Sequence, residues 1–291
     1  MGRVIAVANQ KGGVGKTTTA INLAASLAAG EVDTLIVDCD PQANTTSGLG
    51  LARDPDRPNV YHLLTGAVAL DSAIQPTELA QLWLVPSHKN LIGANLELVE
   101  MEQREFRLRQ ALDGVRDRYR FVILDCPPAL DLLTLNALVA ADTVLIPMQA
   151  EYFALEGVSE LLDTIARIRE NLNPSLEVEG VVLTMYDDRT NLAQQVAAEL
   201  TDFFGDKMCA TTIPRNVKLA EAPSYGKPAL LYDLRSRGAE AYLRLAKELM
   251  KRGMSSETRA ANPEPPAVCT EPAAANAEQD VAAVNAEVSK G

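Results

Sequence analysis

The chain has 291 residues, of which 47% are hydrophobic and 23% charged, a composition typical of a globular protein with one large domain or two ordinary ones. Its longest uncharged stretch, residues 17–30, has 14 residues, so we expect no membrane span, which needs roughly 20 mostly apolar residues. The apolar run near the N-terminus is too short for a secretory signal. The wide spacing of Cys39, Cys126, Cys209 and Cys269 argues against a disulfide framework and a structural zinc site.

The net charge of −12 is unevenly distributed along the chain. Residues 1–206 carry 15 Lys/Arg against 29 Asp/Glu, whereas residues 207–252 carry 10 against 4. A basic block of this kind either forms a solvated helix face or binds a polyanion, and composition alone leaves both interpretations open.

Short apolar, mostly β-branched runs alternate with helical patterns over most of the chain. In chain order the predicted strands are residues 3–8, 34–38, 82–86, 121–125, 143–148, 179–185 and 208–214. Apolar residues at three- and four-residue spacing predict helices over residues 17–29, 105–118, 156–171, 191–204 and 239–252. Because uninterrupted apolar strands suit a parallel sheet, the pattern predicts one doubly wound α/β domain over residues 1–252, with helices on both faces of a mostly parallel sheet.

The tail, residues 253–291, differs in composition from the rest of the chain. It is rich in Ala, Pro and acidic residues and contains no Leu, Ile, Phe, Tyr or Trp. Such a segment buries too little apolar surface to offset its ordering entropy, so we predict that it is disordered.

The strongest signal follows the first predicted strand, where the chain reads Asn9-Gln10-Lys11-Gly12-Gly13-Val14-Gly15-Lys16-Thr17-Thr18. A glycine-rich turn between a strand and a helix N-terminus directs several backbone N–H groups at one point, where an anion is favoured. Lys16 is placed to reach the β- and γ-phosphates of a nucleotide, and the Thr17 hydroxyl to bind Mg²⁺. The strict G-x-x-x-x-G-K-[ST] pattern is not met, because Gln10 replaces its first glycine and an extra lysine, Lys11, stands at the head of the loop.

Two other predicted strands end in acidic residues. Residues 34–38 end at Asp38 and are followed by Cys39 and Asp40, and residues 121–125 end at Asp125. The carboxyl ends of parallel strands border the crevice in which such sheets bind ligands. A phosphate–Mg²⁺ centre needs an acid behind the water shell of the metal and a group that positions the attacking water.

The loop KGGVGKTT resembles the deviant P-loop of the ParA/MinD family of ATPases. The resemblance implies that ATP and Mg²⁺ bind to the loop, through Lys11, Gly12, Gly13, Val14, Gly15, Lys16, Thr17 and Thr18. It also implies that Lys11 crosses a dimer interface to the phosphates of the partner subunit, so that two ATP molecules lie between two protomers.

The same resemblance assigns roles to the acidic residues. Asp125 becomes the Walker B aspartate, which binds Mg²⁺ through water, while Thr17 binds the metal directly. Asp40 positions the attacking water and is catalytic together with Lys11 and Lys16. Asp38 supports the loop that carries Asp40.

Further segments are similar to the ParA/Soj branch, which partitions chromosomes and plasmids: DCDPQANTTSGLG, LDCPP, LTLNAL, AEYFALEG, LTMYDDRTNL, IPRNVKLAEAPSYGKP and YDLRSRGAEAY. With the P-loop they span residues 3–252. The resemblance implies that Pro214 and Asn216 lie near the adenine and that Arg189, Arg215 and Lys218 face DNA in the dimer. One departure is the turn GEVDTL, which is acidic where the family is usually basic.

The resemblance therefore implies an ATP-dependent homodimer that binds double-stranded DNA non-specifically and is released when a ParB-type centromere-binding protein stimulates hydrolysis. Such a protein is expected to be cytoplasmic and associated with the nucleoid, without membrane attachment. A MinD-like, membrane-associated regulator of division-site placement is the alternative, although that group keeps an amphipathic helix at the end of the chain. A metabolic P-loop enzyme is a third possibility. Among these, an iron–sulfur protein needs two well-placed cysteines per chain, and a small buried Cys is the preferred interpretation of Cys126.

Overall fold

The computed structural model describes residues 2–114, 116–151 and 154–261. Within these residues the strands form a seven-stranded sheet. In sheet order, the strands are β3 (Gln75–Pro76), β4 (Leu82–Val85), β2 (Thr34–Asp38), β5 (Phe121–Asp125), β1 (Arg3–Val7), β6 (Thr143–Met148) and β7 (Glu177–Leu183). Every neighbouring pair is parallel except β3 and β4, which are antiparallel. The predicted α/β class with a mostly parallel sheet is confirmed.

Helices connect the strands. The α-helices of the described residues are α1 (Lys16–Ala29), α2 (Asn44–Gly48), α3 (Val60–Leu64), α4 (Leu70–Ala73), α5 (Leu91–Glu97), α6 (Arg107–Asp113), α7 (Leu132–Ala140), α8 (Ala154–Asn171), α9 (Asn191–Phe204), α10 (Val217–Glu221), α11 (Ala229–Tyr232) and α12 (Arg237–Ala261). Short 3₁₀ turns occupy Leu98–Glu100, Arg116–Arg118, Gly205–Lys207 and Ala222–Tyr225. The helix predicted over residues 105–118 is shorter in the structure, where α6 spans Arg107–Asp113. The other four predicted helices correspond to α1, α8, α9 and α12, and the predicted first residue of each is within a few residues of the observed one.

Both faces of the sheet are buried, as its apolar strands require. Successive strand side chains point to opposite faces, so that Val4 and Ala6 of β1 join a core that includes α7 and α8, while Ile5 and Val7 join a core that includes α1 and α12. Burying one such aliphatic side chain completely contributes about 1.5–3 kcal/mol. The two cores cover both faces of the sheet, and the loops described below begin at its edge.

The chain divides into two units, Met1–Arg252 and Gly253–Gly291. The second unit contributes to the described residues only the end of α12, which extends to Ala261. The rest of the predicted tail, residues 262–291, lies outside the described residues.

The strand predicted over residues 208–214 is wrong. Only two isolated bridges join this segment to its neighbours, between Val181 and Met208 and between Tyr186 and Pro214. The physical reason is a competing acceptor, because the N–H groups of Ala210 and Thr211 donate to the Glu248 carboxylate of α12 at 2.8 and 2.9 Å. In addition, the short edge strand β3 was not predicted, since its residues, Gln75 and Pro76, form no apolar run.

Three adjacent strands end at the same edge of the sheet. In the order β2, β5, β1, the register pairs Asp38 with Asp125 and Asp125 with Val7. The loop after β1 therefore lies beside both acidic strand ends, which is the arrangement that the sequence predicts for a ligand crevice.

Candidate functional site

The loop between β1 and α1 is turned by two glycines in the left-handed region, Gly13 at φ 77° and Gly15 at φ 83°. Gly15 is the N-cap of α1 and makes no side-chain cap hydrogen bond. A Cβ atom on Gly12 or Gly13 would meet no heavy atom within 4 Å. The N-terminal end of α1 thus carries no side-chain cap and the loop faces open space, which is the geometry that receives an anion such as a phosphate.

Lys16, the first residue of α1, is buried at 7% exposure. Its Nζ donates to the Lys11 carbonyl oxygen at 2.9 Å. Burial lowers the pKa of Lys16, while the charges of Asp125 and Asp40 oppose that shift. An ammonium group held inside a glycine loop is suited to neutralise a bound phosphate.

Asp125, at the end of β5, is fully buried. Its Oδ2 accepts a hydrogen bond from the Thr45 hydroxyl at 2.7 Å, whereas its Oδ1 is buried without a hydrogen-bond partner. Burial raises the pKa of Asp125 to about 6, against the lowering effect of the Thr45 and Thr17 hydroxyls. The unpartnered Oδ1 of Asp125, with the Thr17 hydroxyl nearby, fits a Mg²⁺ site, because Mg²⁺ binds few protein ligands and keeps several waters.

Asp38 anchors the loop after β2. Its Oδ2 accepts from the Thr46 N–H at 2.8 Å and the Thr46 hydroxyl at 2.6 Å, and its Oδ1 accepts from the Asp40 N–H at 3.2 Å. Burial, together with the nearby Asp125 charge, raises the pKa of Asp38 to about 8. These hydrogen bonds fix the start of the loop, in agreement with the supporting role expected for Asp38.

Asp40 lies where this loop leaves the sheet edge and is 8% exposed. Its Oδ1 accepts from the Gln42 N–H at 2.8 Å. Ala43 has φ 54°, a left-handed conformation that costs a non-glycine residue free energy and that is often found at functional sites. The carboxylate of Asp40 is thus held by a tight turn close to Lys16 and Asp125.

Lys11 and Lys16 have different surroundings. The Lys11 Nζ pairs with Glu151 Oε2 at 2.5 Å, and their side chains are 43% and 52% exposed. The Lys11 N–H donates to Asn9 Oδ1 at 2.9 Å, which fixes the backbone at the head of the loop. The Lys11 ammonium therefore lies on the surface, whereas that of Lys16 lies inside.

The predicted adenine residues connect to the P-loop through a chain of contacts. The Thr184 hydroxyl donates to the Val14 carbonyl at 2.8 Å, and the Tyr186 N–H donates to the Ile213 carbonyl at 3.0 Å, next to Pro214. Asn216 is the N-cap of α10, and its side chain accepts from the Lys218 N–H at 2.9 Å. The structure therefore connects Pro214 to the end of the sheet that carries the P-loop, and Asn216 follows two residues later.

The predicted DNA-contacting residues Arg189 and Lys218 are each paired with a neighbouring acid. Arg189 makes a bidentate pair with Asp187 at 2.7 and 2.5 Å, and its side chain is 84% exposed. The Arg189 hydrogen bonds, with a smaller effect of the Arg215 charge, lower the pKa of Asp187 to about 2. Lys218 pairs separately with Glu221 at 3.0 Å and lies 5.3 Å from the Tyr232 ring centroid.

Known proteins match this chain over most of its length. A family model described as an AAA domain matches residues 2–178. The chromosome partitioning protein ParA of Myxococcus xanthus is 52% identical over 259 residues, which cover 89% of this chain and 92% of that protein. The sporulation initiation inhibitor protein Soj of Bacillus subtilis is 52% identical over 253 residues, which cover 87% of this chain and 100% of Soj. The chain belongs to the ParA/Soj family of chromosome-partitioning ATPases.

The ParA/Soj resemblance inferred from the sequence is thereby confirmed. A solved structure of cobyrinic acid a,c-diamide synthase from Mycobacterium smegmatis, with ADP and magnesium bound, superposes on this chain with a TM-score of 0.78. It is 36% identical, and the match covers 88% of this chain and 97% of that one. The ParA/Soj fold is thus shared with a protein described as a cobyrinic acid a,c-diamide synthase, but the chain is more similar in sequence to the partitioning proteins.

Three threonines of this ParA/Soj-family chain were missed by the sequence analysis. Thr45 bonds to Asp125, Thr46 bonds to Asp38 and accepts from the Ser87 N–H at 2.8 Å, and Thr184 donates to the P-loop. All three lie in segments that carry the ParA/Soj resemblance, Thr45 and Thr46 in DCDPQANTTSGLG and Thr184 in LTMYDDRTNL, but the sequence analysis assigned them no role. The Thr45 and Thr184 contacts join segments far apart in the sequence, so spacing could not identify them.

The cysteines beside the acidic residues are buried. Cys39 and Cys126 are 2% and 1% exposed, and burial raises the pKa of both thiols. In this ParA/Soj-family chain both side chains belong to the core next to α7 and α8. Both have the burial expected of small structural residues.

The alternative interpretation of the sequence was a MinD-like regulator that associates with the membrane. No helix among the described residues combines the length and the apolar character needed to cross a bilayer.

Proposed function

We propose that this chain is a Mg²⁺-dependent ATPase that dimerises with ATP bound, binds duplex DNA without sequence preference in that state, and leaves DNA after hydrolysis stimulated by a ParB-type partner. The observation that carries the proposal is the convergence of buried Lys16 and the unpartnered Asp125 oxygen at the start of α1, where Gly12 and Gly13 leave open space. Membership of the ParA/Soj family supports the same activity, as do the ADP and magnesium bound to the M. smegmatis enzyme.

The phosphates of ATP fit the loop of residues 11–18. Its backbone N–H groups surround the phosphate oxygens. The Lys16 Nζ, which donates to the Lys11 carbonyl oxygen, donates instead to the β- and γ-phosphates when ATP binds. Thr17, through its hydroxyl, and Asp125, through water, would hold Mg²⁺, which would supply positive charge to neutralise the phosphates. Pro214 and Asn216 border the adenine.

Asp40 orients the attacking water. Its carboxylate is fixed by the Gln42 N–H and lies close enough to Lys16 and Asp125 to act on their pKa values. Phosphoryl transfer depends on an attacking group held in line with the bond that breaks. The Asp40 carboxylate serves turnover, whereas Lys16 serves both binding and turnover.

Lys11 links nucleotide binding to dimerisation. Its exposed pair with Glu151 contributes only about 0–1 kcal/mol, so Lys11 can leave Glu151 at little cost for a γ-phosphate bound to the partner subunit. ATP and ADP differ in that phosphate, which gives the nucleotide a contact by which it favours the dimer over the monomer.

DNA binding follows from the dimer. Arg189, Arg215 and Lys218 offer few phosphate contacts in a single protomer, and two protomers double that number on one duplex. Each contact releases about one counterion, so affinity falls steeply with salt. Contacts to phosphates carry no sequence information, so binding is indifferent to sequence.

The test is charge reversal at the proposed DNA surface. Arg189→Glu and Lys218→Glu should each abolish ATP-dependent binding to a fluorescent duplex, measured by anisotropy, and both should still form the ATP-dependent dimer. Lys247→Glu is the matched control, since Lys247 is an exposed residue of the same basic block outside the proposed surface. If both variants dimerise and bind DNA with the wild-type salt dependence, the basic block is only a solvated face and the proposal fails.

A further inference from the structure

Two tyrosines of the basic block form an exposed stack. Tyr225 ends the 3₁₀ turn after α10, and Tyr232 ends α11. Their ring centroids lie 5.0 Å apart at an interplanar angle of 29°, which is a stacked geometry. Tyr232 is half-buried, whereas Tyr225 is 66% exposed. Tyr225 therefore lies on the Tyr232 ring and keeps most of its own surface in solvent.

The Tyr232 ring is fixed in place by polar contacts. Its hydroxyl donates to Glu221 Oε2 at 3.1 Å, and the Lys218 Nζ donates to the same oxygen at 3.0 Å. The Lys218 Nζ also lies 5.3 Å from the Tyr232 ring centroid, which is a cation–π contact. Because these contacts orient Tyr232, they also orient the ring stacked on it. Tyr225 can therefore receive a flat ligand at a small further cost in side-chain entropy.

The loop after α2 packs against the turn that carries Tyr225. Gly226 has φ 66°, and a Cβ atom on it would lie 2.6 Å from the Gly50 Cα atom and 3.7 Å from the Ser47 carbonyl oxygen. The Ser47 hydroxyl in turn accepts from Arg53 Nη2 at 3.5 Å. This acceptor is uncharged, so the exposed Arg53 guanidinium keeps its capacity to bind an anion near Tyr225.

The surroundings of the tyrosine stack are net positive. Residues 215–237 contain five Lys or Arg against two acids, and the loop of residues 51–57 contains two against two. Glu78 adds one acid through its pair with Lys227 at 3.0 Å. An exposed aromatic ring among lysines and arginines is typical of a site where a nucleobase stacks on the ring and the adjacent phosphates pair with the cations.

We propose that Tyr225 stacks on an unpaired base of single-stranded DNA, whose phosphates pair with Arg53 and Lys218. The choice of DNA as the ligand rests on the proposed function, in which Lys218 contacts DNA, whereas the geometry of the stack does not. Bases in a duplex already stack on one another and present only their edges in the grooves, so Tyr225 adds nothing to duplex binding. It makes a contact that only an unpaired strand offers, and one that any base can satisfy because every base has a π-face.

Fluorescence anisotropy with two labelled oligonucleotides isolates the stacking contact. The first is an oligothymidylate of about 20 nucleotides, longer than the span of one site. The second carries a stable abasic analogue at every position and therefore has the same phosphates without bases. The full chain with ATP and Mg²⁺ should bind the first at least about fivefold more tightly than the second. Tyr225→Ala should remove this difference and leave the affinity for the abasic strand and for duplex DNA unchanged, and Tyr225→Trp should retain it.

Tryptophan fluorescence gives a second signature of stacking. Tyr225→Trp adds a tryptophan to a chain that has one, Trp83, and its emission should be quenched by oligothymidylate but not by the abasic strand, with wild type as the blank. Phe203→Ala is the matched control, because Phe203 is an aromatic residue of α9 that is 61% exposed outside the stack. This variant should bind both strands like wild type.

Three results would overturn the proposal. The first is an equal affinity of wild type for the two strands, and the second is an unchanged affinity of Tyr225→Ala for oligothymidylate. The third is loss of the ATP-dependent dimer in Tyr225→Ala, which would show that a second copy of the chain covers the ring. Tyr225-dependent discrimination between the strands by a protein that neither dimerises with ATP nor binds duplex DNA would instead support the stacking contact and refute the proposed function.

Discussion

Alanine substitution at two glycines of the P-loop should affect two different properties. Gly15→Ala should lower the stability of the fold, and Gly12→Ala should lower the affinity for nucleotide. At Gly15 an added Cβ has room, since its nearest neighbour is Thr184 at 3.8 Å, but φ is 83°. Holding alanine in the left-handed region costs about 1–2 kcal/mol, so Gly15→Ala should lower the melting temperature of the nucleotide-free protein by about 2–8 °C. At Gly12 no left-handed φ occurs and a Cβ meets nothing within 4 Å, so stability should change by less than about 0.5 kcal/mol.

The affinity for nucleotide separates strain from function. The methyl group of Gly12→Ala enters the space proposed for phosphates and should weaken Mg·ATP binding at least about tenfold, or about 1.4 kcal/mol. Thermal unfolding by circular dichroism and titration with a fluorescent ATP analogue measure the two effects. A Gly12→Ala variant that binds nucleotide like wild type would refute the placement of the phosphates, and an undiminished melting temperature in Gly15→Ala would refute the argument from strain.

Three further predictions concern acidic residues and the P-loop lysine. Asp40→Ala should bind ATP normally but release phosphate at least about tenfold more slowly, whereas Lys16→Ala should weaken nucleotide binding itself; wild-type turnover in Asp40→Ala would contradict its role. Burial raises the pKa of Asp38 to about 8, so the folded chain keeps a proton that the unfolded chain releases near pH 4. The stability of wild type relative to Asp38→Asn, measured by urea unfolding, should therefore fall from about pH 4 to about pH 8. A relative rise would contradict the assigned direction. Asp187→Asn frees Arg189 from its bidentate pair and should strengthen ATP-dependent DNA binding about two- to fivefold; weaker binding would mean that the pair orients the arginine.

The parts of the fold and site that could be predicted from the sequence depend on local pattern. Uninterrupted apolar runs identify β1, β2 and β5, because strands buried on both faces need no polar positions. Gly13, Gly15 and Lys16 form a signal within a few residues, since the loop's conformation and charge both come from adjacent positions. The acids Asp38 and Asp125 follow from the rule that parallel strands end at one edge.

The parts that could not be predicted depend on contacts between distant segments. Glu248 takes the N–H groups that would have made residues 208–214 a strand, and it lies on a helix more than thirty residues away in the chain. Thr45 reaches Asp125 across the sheet edge from the short helix α2, which no spacing rule connects to Asp125. The pairing of Arg189 with Asp187 is likewise a matter of side-chain geometry.

The measurement that tests the account most directly is the mass of the protein in light scattering with Mg²⁺ and either ATP or ADP. The chain has a mass of 31.3 kDa, and the account predicts that wild type doubles this mass with ATP and not with ADP. Lys11→Ala should bind ATP but keep the monomer mass, and Lys89→Ala, which changes an exposed lysine outside the site, should behave like wild type. A wild-type protein that stays monomeric with ATP, or a Lys11→Ala variant that dimerises equally well, would contradict the proposal that ATP closes the dimer through Lys11.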